Sequence, residues 1–199
     1  NVADPRAAPP VIRGTYSGTH LAFGLSDLGE VMPFQFPVGN EHLANGTFLD
    51  GYTVAYLANG SDHIAYSVYA QRNNIVPFSY NEIENSATRA IVEVVTHTGD
   101  GFLSVRRLFT FRKDEKVLDL QTSIQNLSGL VDSDVVFKEN ADWDVDGGFG
   151  NTWNYDRDRN LAYASSTRFC GIAPQQTPAF MDLDGWNDFA RRTTFVDFP

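Results

Sequence analysis

The chain has 199 residues, of which 42% are apolar, 13% aromatic and 20% charged. That is the composition of a globular protein with a core, and it excludes disorder and fibrous low complexity. Twenty-five acidic against 15 basic residues leave a formal net charge of −10, so the chain repels phosphate backbones and nucleic acid is not an expected partner. No apolar run approaches the roughly 18 residues that cross a bilayer, and no membrane span is expected. The one cysteine, Cys170, rules out an internal disulfide, a multi-cysteine zinc or iron–sulfur site and a c-type haem.

The first ten residues, Asn1 to Pro10, carry three prolines and three alanines. Proline fixes φ near −65° and removes a donor, so an extended arm is predicted over residues 1–15, followed by one β-sandwich domain over 16–199. Strong alternation begins at residue 51. Tyr52, Val54, Tyr56 and Ala58 face one way; Asn59-Gly60-Ser61-Asp62 turns the chain; Ile64, Tyr66, Val68 and Ala70 then alternate again, which is a β-hairpin pattern. Further alternating or β-branched runs lie at 20–26, 88–98, 103–113, 116–126, 132–140, 159–166 and 168–173. In the fourth of these, Leu118, Leu120, Thr122 and Ile124 oppose Asp119, Gln121, Ser123 and Gln125, the pattern of a half-buried antiparallel strand. No 12-residue window has a clean 3.6 period, although Ile83 to Arg89 and Gly185 to Arg192 have room for one or two helical turns. The predicted fold is an all-β antiparallel sandwich of about nine to eleven strands with long loops.

Acidic residues are not spread evenly. Residues 131–199 hold 12 acids, 11 of them Asp, against 6 basic residues. Their richest stretch runs from Glu139 to Asn151 and contains Asp142, Asp144, Asp146 and Gly147 as a D-x-D-x-D-G array. Alternate carboxylates on a curling backbone can converge on one ion, and three of them so close repel unless a cation offsets them. Calcium suits such a set, since it takes 6 to 8 oxygens at flexible angles. The predicted ligands are therefore Asp142, Asp144, Asp146 and Asn151. The array matches only the first half of an EF-hand loop, because Trp153 stands where the closing Glu would be. Arg157 and Arg159 are the competing source of positive charge, and a solvated surface loop is the alternative reading. A looser cluster, Asp182 to Asp188 with Trp186, joins Trp143, Trp153 and Tyr155 as ingredients of a sugar platform.

No catalytic signature emerges. His20, His42, His63 and His97 have no metal-ligand spacing, Glu41-His42 lacks a second zincin histidine, Ser17 sits in no nucleophile elbow, and Cys170 lies in an apolar strand as a buried thiol. No catalytic residue and no organic cofactor is assigned. Three N-x-S/T sequons, at Asn45, Asn59 and Asn126, accept glycans in an extracellular protein, and the same dipeptides make turns without any sugar.

Two stretches resemble uncharacterised secreted or cell-surface β-sandwich proteins of bacteria and archaea. One is Lys116 to Gly129, a strand ending in an N-x-S turn; the other is Asp142-Trp143-Asp144 following Val135 to Lys138. The resemblance implies an extracellular or cell-surface location and no activity. The functional expectation is a non-enzymatic structural protein, a filament or surface-layer subunit or an adhesive module. It would assemble with other copies through its arm, since an extended segment can add a strand to an open sheet edge. The alternative is a calcium-assisted carbohydrate-binding module with glycans as partners.

Overall fold

The computed structural model describes residues 11–43, 50–68, 71–141, 143–147 and 151–174. The segment 12–35 makes a three-stranded antiparallel sheet from β1 (Ile12–Ser17), β2 (Ala22–Ser26) and β3 (Val31–Gln35). Next come β4 (Asp50–Ala58), β5 (Ser61–Val68) and β6 (Gln71–Asn73), then a meander of β7 (Ile75–Asn85), β8 (Arg89–Thr98), β9 (Leu103–Arg112) and β10 (Leu118–Asn126). The chain returns as β11 (Val131–Ala141), which pairs with β4 to give the order β11-β4-β5-β6. A last sheet follows from β12 (Thr152–Asp156), β13 (Leu161–Ser165) and β14 (Phe169–Ile172). The fold is all-β and sandwich-like, as predicted. Among the described residues no helix is long and apolar enough to cross a membrane.

The expected hairpin is β4–β5. Ala58 pairs with Ser61, and Asn59 (φ 52°) and Gly60 (φ 72°) both lie in the left-handed region. Two positive φ values in a two-residue loop define a type I′ turn, whose twist matches that of the flanking strands. The expected second arm, 64–70, begins earlier, at Ser61, and residues 69–70 lie outside the described set.

All the other predicted runs are strands, but the described residues contain fourteen strands rather than nine to eleven. The additions are β1, β3, β6, β7 and β12. Ile83 to Asn85, read as room for a helical turn, belongs to β7, which is bulged between Pro77 and Ser79 and again between Glu82 and Glu84. Each bulge shifts the side-chain alternation by one and erases the period-2 signal. Ile12 to Thr15, read as part of the arm, lie in β1 and pair with β2 of the same chain, while residues 1–10 lie outside the described set.

The sheet β10-β9-β8-β7 is the platform of the molecule. On β8, Ala90, Val92, Val94, Thr96 and Thr98 are buried while the residues between them are partly exposed. At one end of the platform, Val92, Val94, Phe109 and Phe111 pack with Tyr16, Phe23, Leu25, Val31, Trp143, Val145, Ala164 and Cys170. At the other end, Leu103 and Val105 face Tyr52, Val54, Tyr56 and Ala58 of β4. A polar seam separates these two cores. Arg107, 1% exposed, lies between Val105 and Phe109 on β9 and donates to the Gly29 carbonyl at 2.6 Å and to the Glu139 carboxylate. Glu30 accepts from Ser26 (2.9 Å), Ser67 (2.7 Å) and Arg72 (2.9 Å). The seam thus binds the β2–β3 turn to β5, β6, β9 and β11, and its buried charges are paired, as burial requires.

Candidate functional site

The acidic loop follows β11. Of its predicted ligands, Asp142 lies outside the described residues. Trp143 is in the core, edge-on to Phe34 with ring centroids 5.4 Å apart, and Val145 is buried beside it. These two apolar anchors pull Asp144 inward. Asp144 is 6% exposed, its N–H donates to the His42 carbonyl at 2.8 Å, and its Oδ2 has no hydrogen-bond partner among the described residues. Burial pushes the Asp144 carboxyl above the usual carboxylate range.

Asp146 has a different fate. It occupies the left-handed region (φ 61°) in the tight turn Val145–Gly147, and its N–H donates to His42 Nδ1 at 3.1 Å. Its carboxylate accepts from the Thr167 hydroxyl (2.6 Å), the Thr167 N–H (3.1 Å) and the Arg168 guanidinium. The Thr167 hydroxyl, with Arg168 and the Thr167 N–H adding to it, holds it down to about 2 against the opposing effect of burial. Asn151 Nδ2 donates to the Trp143 carbonyl at 2.8 Å. The loop therefore carries Asp144, Asp146 and Asn151 in separate roles, and the cation beside Asp146 is Arg168. Of the two arginines expected to compete, Arg159 bridges Asp156 at 2.6 Å. Among the described residues no three His, Cys, Asp or Glu side chains gather as a metal group.

Two neighbours of this loop carry no motif in the sequence. His42 is fully buried, with Nδ1 accepting from Asp146 and Nε2 against the Phe36 carbonyl. That pattern fixes the neutral tautomer with hydrogen on Nε2. Glu41 accepts the N–H groups of Phe34 and Leu43 on Oε1, each at 2.9 Å, and its Oε2 is buried with no partner among the described residues.

The remaining candidates divide between core and surface. His63 stacks on Tyr56 and sits 3.3 Å from Asp100, and His97 stacks on Phe78 at 4.2 Å. Cys170 is buried, and burial followed by the Asp146 charge pushes its thiol up to about 12, far from a nucleophilic thiolate. Trp143 is a core residue and does not belong to a platform. Trp153 (39% exposed) and Tyr155 (43%) alternate on β12 and so share a face, while Trp186 lies outside the described residues. Asn126 accepts from Ser128 N–H (3.1 Å) and Gly129 N–H (3.0 Å) and so builds its turn; Asn59 stands exposed at the tip of the β4–β5 turn; Asn45 lies outside the described residues.

A cleft of about 560 Å³ opens between β10 and β11. Its walls are Leu103, Ile124, Val131, Val135 and Phe137, with Thr122 and Asn126 as polar points. Among the described residues both flanking strands are the outer strands of their sheets, so the sandwich is open here and Ile124, Val131, Val135 and Phe137 are only partly buried. Leu120 at 36% exposure, with Leu127 and Leu130 exposed at the connecting turn, continues the apolar strip. Thr122 pairs with Arg107 in the β10–β9 register, and Glu139 follows Phe137 on the same face of β11, so the buried ion pair lies at the inner end of the cleft. Burial pushes the Glu139 carboxyl up, against the opposing pull of Arg107.

No family model, no curated protein and no solved structure matches this chain.

Proposed function

We propose that the chain is a non-enzymatic extracellular structural module, a filament or surface-layer subunit or an adhesive domain, whose copies join through the cleft between β10 and β11. The observation that supports this reading is the open, apolar cleft flanked by two outer strands. An outer strand presents a row of unpaired N–H and C=O groups, and an extended segment laid beside it gains main-chain hydrogen bonds while every second side chain enters the cleft. The occupant in this reading is the proline-bearing segment Asn1 to Pro10, which lies outside the described residues. A calcium ion bracing the loop after β11 belongs to the same reading, and the buried Asp144 Oδ2, which has no hydrogen-bond partner, is the observation in its favour. The exposed sequon at Asn59 fits an extracellular surface. Size-exclusion chromatography and negative-stain imaging of native material test the proposal: polymers or defined oligomers support it, and monodisperse monomers at all concentrations refute it.

A second reading, a carbohydrate-binding module, is favoured by one observation, the shared exposed face of Trp153 and Tyr155. Two rings about 7 Å apart along a strand offer stacking surfaces to pyranose faces. Quenching or blue shift of tryptophan emission on titration with oligosaccharides, lost in Trp153→Ala, supports this reading, and an unchanged spectrum across a glycan panel removes it.

A further inference from the structure

We propose that the arm Asn1 to Pro10 of one copy enters the β10–β11 cleft of a second copy head to tail, so that the copies form an open polar chain or a ring and not a two-fold exchanged pair. The inference rests on the cleft reading above and fixes how the copies are related.

The place where the arm is rooted carries the argument. The Val11 carbonyl accepts the Asp27 N–H at 3.0 Å, which ties the start of β1 to the β2–β3 turn. That turn reaches β5 and β6, because Glu30 accepts from Ser67 at 2.7 Å and from Arg72 at 2.9 Å. Farther along β1, the Tyr16 hydroxyl lies 2.8 Å from the hydroxyl of Tyr80 on β7. At the other side of the same small sheet, Phe34 of β3 packs on Trp143, just beyond β11. β1 therefore lies toward the β6–β7 margin of the sandwich. In the orders β11-β4-β5-β6 and β10-β9-β8-β7 that margin is the far side from β10 and β11, so root and cleft stand at opposite margins.

Strand spacing makes a four-stranded sheet about 14 Å wide between its outer strands. An arm bound in the cleft of its own copy would spend about four of its ten residues on that width alone. The straight path runs through packed core, so the route over the surface is longer still. A neighbouring copy receives the arm without this detour. When two copies meet edge to edge, a two-fold axis brings like margins together, root to root or cleft to cleft. Only a heterologous relation sets a root beside a cleft, and repetition of it gives a ring where the rotation closes and a filament where it does not.

The arm sequence suits an edge that takes one strand. Pro5 and Pro9 are four residues apart, so in an extended segment both turn the same way and can face outward, while the N–H groups of Asp4, Arg6 and Ala8 face the sheet. The outward side then lacks donors for a further strand, which limits each cleft to one arm.

The test uses the full chain with Ala7→Cys and Val135→Cys together, treated with a short bismaleimide whose reach tolerates an unknown register. Cys170 is buried, with its thiol pushed up to about 12, and does not compete. The expected result on a denaturing gel is a ladder of three and more joined chains, whereas an equal mixture of the two single variants stops at pairs. A ladder from the double variant that ends at two chains, cross-linking confined within single chains, or no cross-link in chains that light scattering shows to be assembled each overturns the proposal. Thr122→Cys on the same cleft replaces Val135→Cys if the latter fails to fold. Light scattering of the native chain separates the two failures: native chains that never assemble sink the cleft reading and this inference with it, and native chains that assemble while the double variant stops at two sink the head-to-tail relation alone.

Discussion

The Arg107 guanidinium lies 4.9 Å from the centre of the Tyr52 ring, inside the sandwich and at the boundary of its two hydrophobic cores. Tyr52 is itself fully buried, with its hydroxyl 2.6 Å from Thr96 Oγ1, and burial pushes the phenol up to about 12. The cation is thus held on one side by an aromatic face and on the other by Glu139 and the Gly29 carbonyl. A buried charge with this many partners is stable in place and costly to strip of any one of them.

Arg107→Met leaves Glu139 and the Gly29 carbonyl without their donor. The expected loss is about 3 to 5 kcal/mol by denaturant unfolding. The double variant Arg107→Met with Glu139→Gln should recover a large part of it, because the orphaned charge is gone. A double-mutant cycle that shows no coupling between the two positions contradicts the seam as described.

Gly60 has φ 72° and open space around the position of a Cβ, so a side chain there meets a backbone penalty and no clash. Gly60→Val should therefore cost roughly 1 kcal/mol or more, read as a lower thermal midpoint, with no change in the native circular dichroism. An unchanged midpoint would mean that the β4–β5 turn is not type I′ in solution.

Asp100 closes the β8–β9 turn. Burial pushes its carboxyl up, but hydrogen bonds from Thr98 (2.6 Å), Tyr56 (2.6 Å), Asn74 (3.1 Å) and the Phe102 N–H (3.1 Å) outweigh it and hold the group at about 2. The folded value lies below the roughly 3.9 of an unfolded Asp. Its contribution is therefore complete above about pH 4 and is lost as pH falls toward 2. Asp100→Asn should lower stability at neutral pH by about 1 kcal/mol after allowance for solvent screening. The gap between native chain and variant should close on acidification to pH 2, and a gap that stays constant over that interval contradicts the assignment.

Local pattern carried most of the strands, because alternation and turn chemistry are written in neighbouring residues. Leu118, Thr122 and Ile124 are more buried than Gln121, Ser123 and Gln125, as the period predicts. Pattern failed where the backbone is irregular: Pro33 interrupts the run of β3, and the two bulges of β7 invert its faces. Long-range pairing is the other blind spot. Arg157 and Arg159 are close to the acidic array in sequence, yet the arginine that reaches Asp146 is Arg168, placed there by the β13–β14 turn. Leu120 keeps its predicted side of β10 but is 36% exposed, because β10 has no outer neighbour among the described residues. His42 shows no local signal, since its role depends on a loop about a hundred residues away.

The cleft between β10 and β11 is the center of the functional account, and side chains on its two walls test it most directly. Light-scattering mass is measured for the native chain, for Ile124→Lys and Val135→Lys on the cleft walls, and for Phe78→Lys on the opposite outer strand β7. The account predicts assemblies for the native chain and for Phe78→Lys, and single chains for both cleft variants with their folded spectra retained. A native chain that stays monomeric, or folded cleft variants that assemble as well as the native chain, would contradict it.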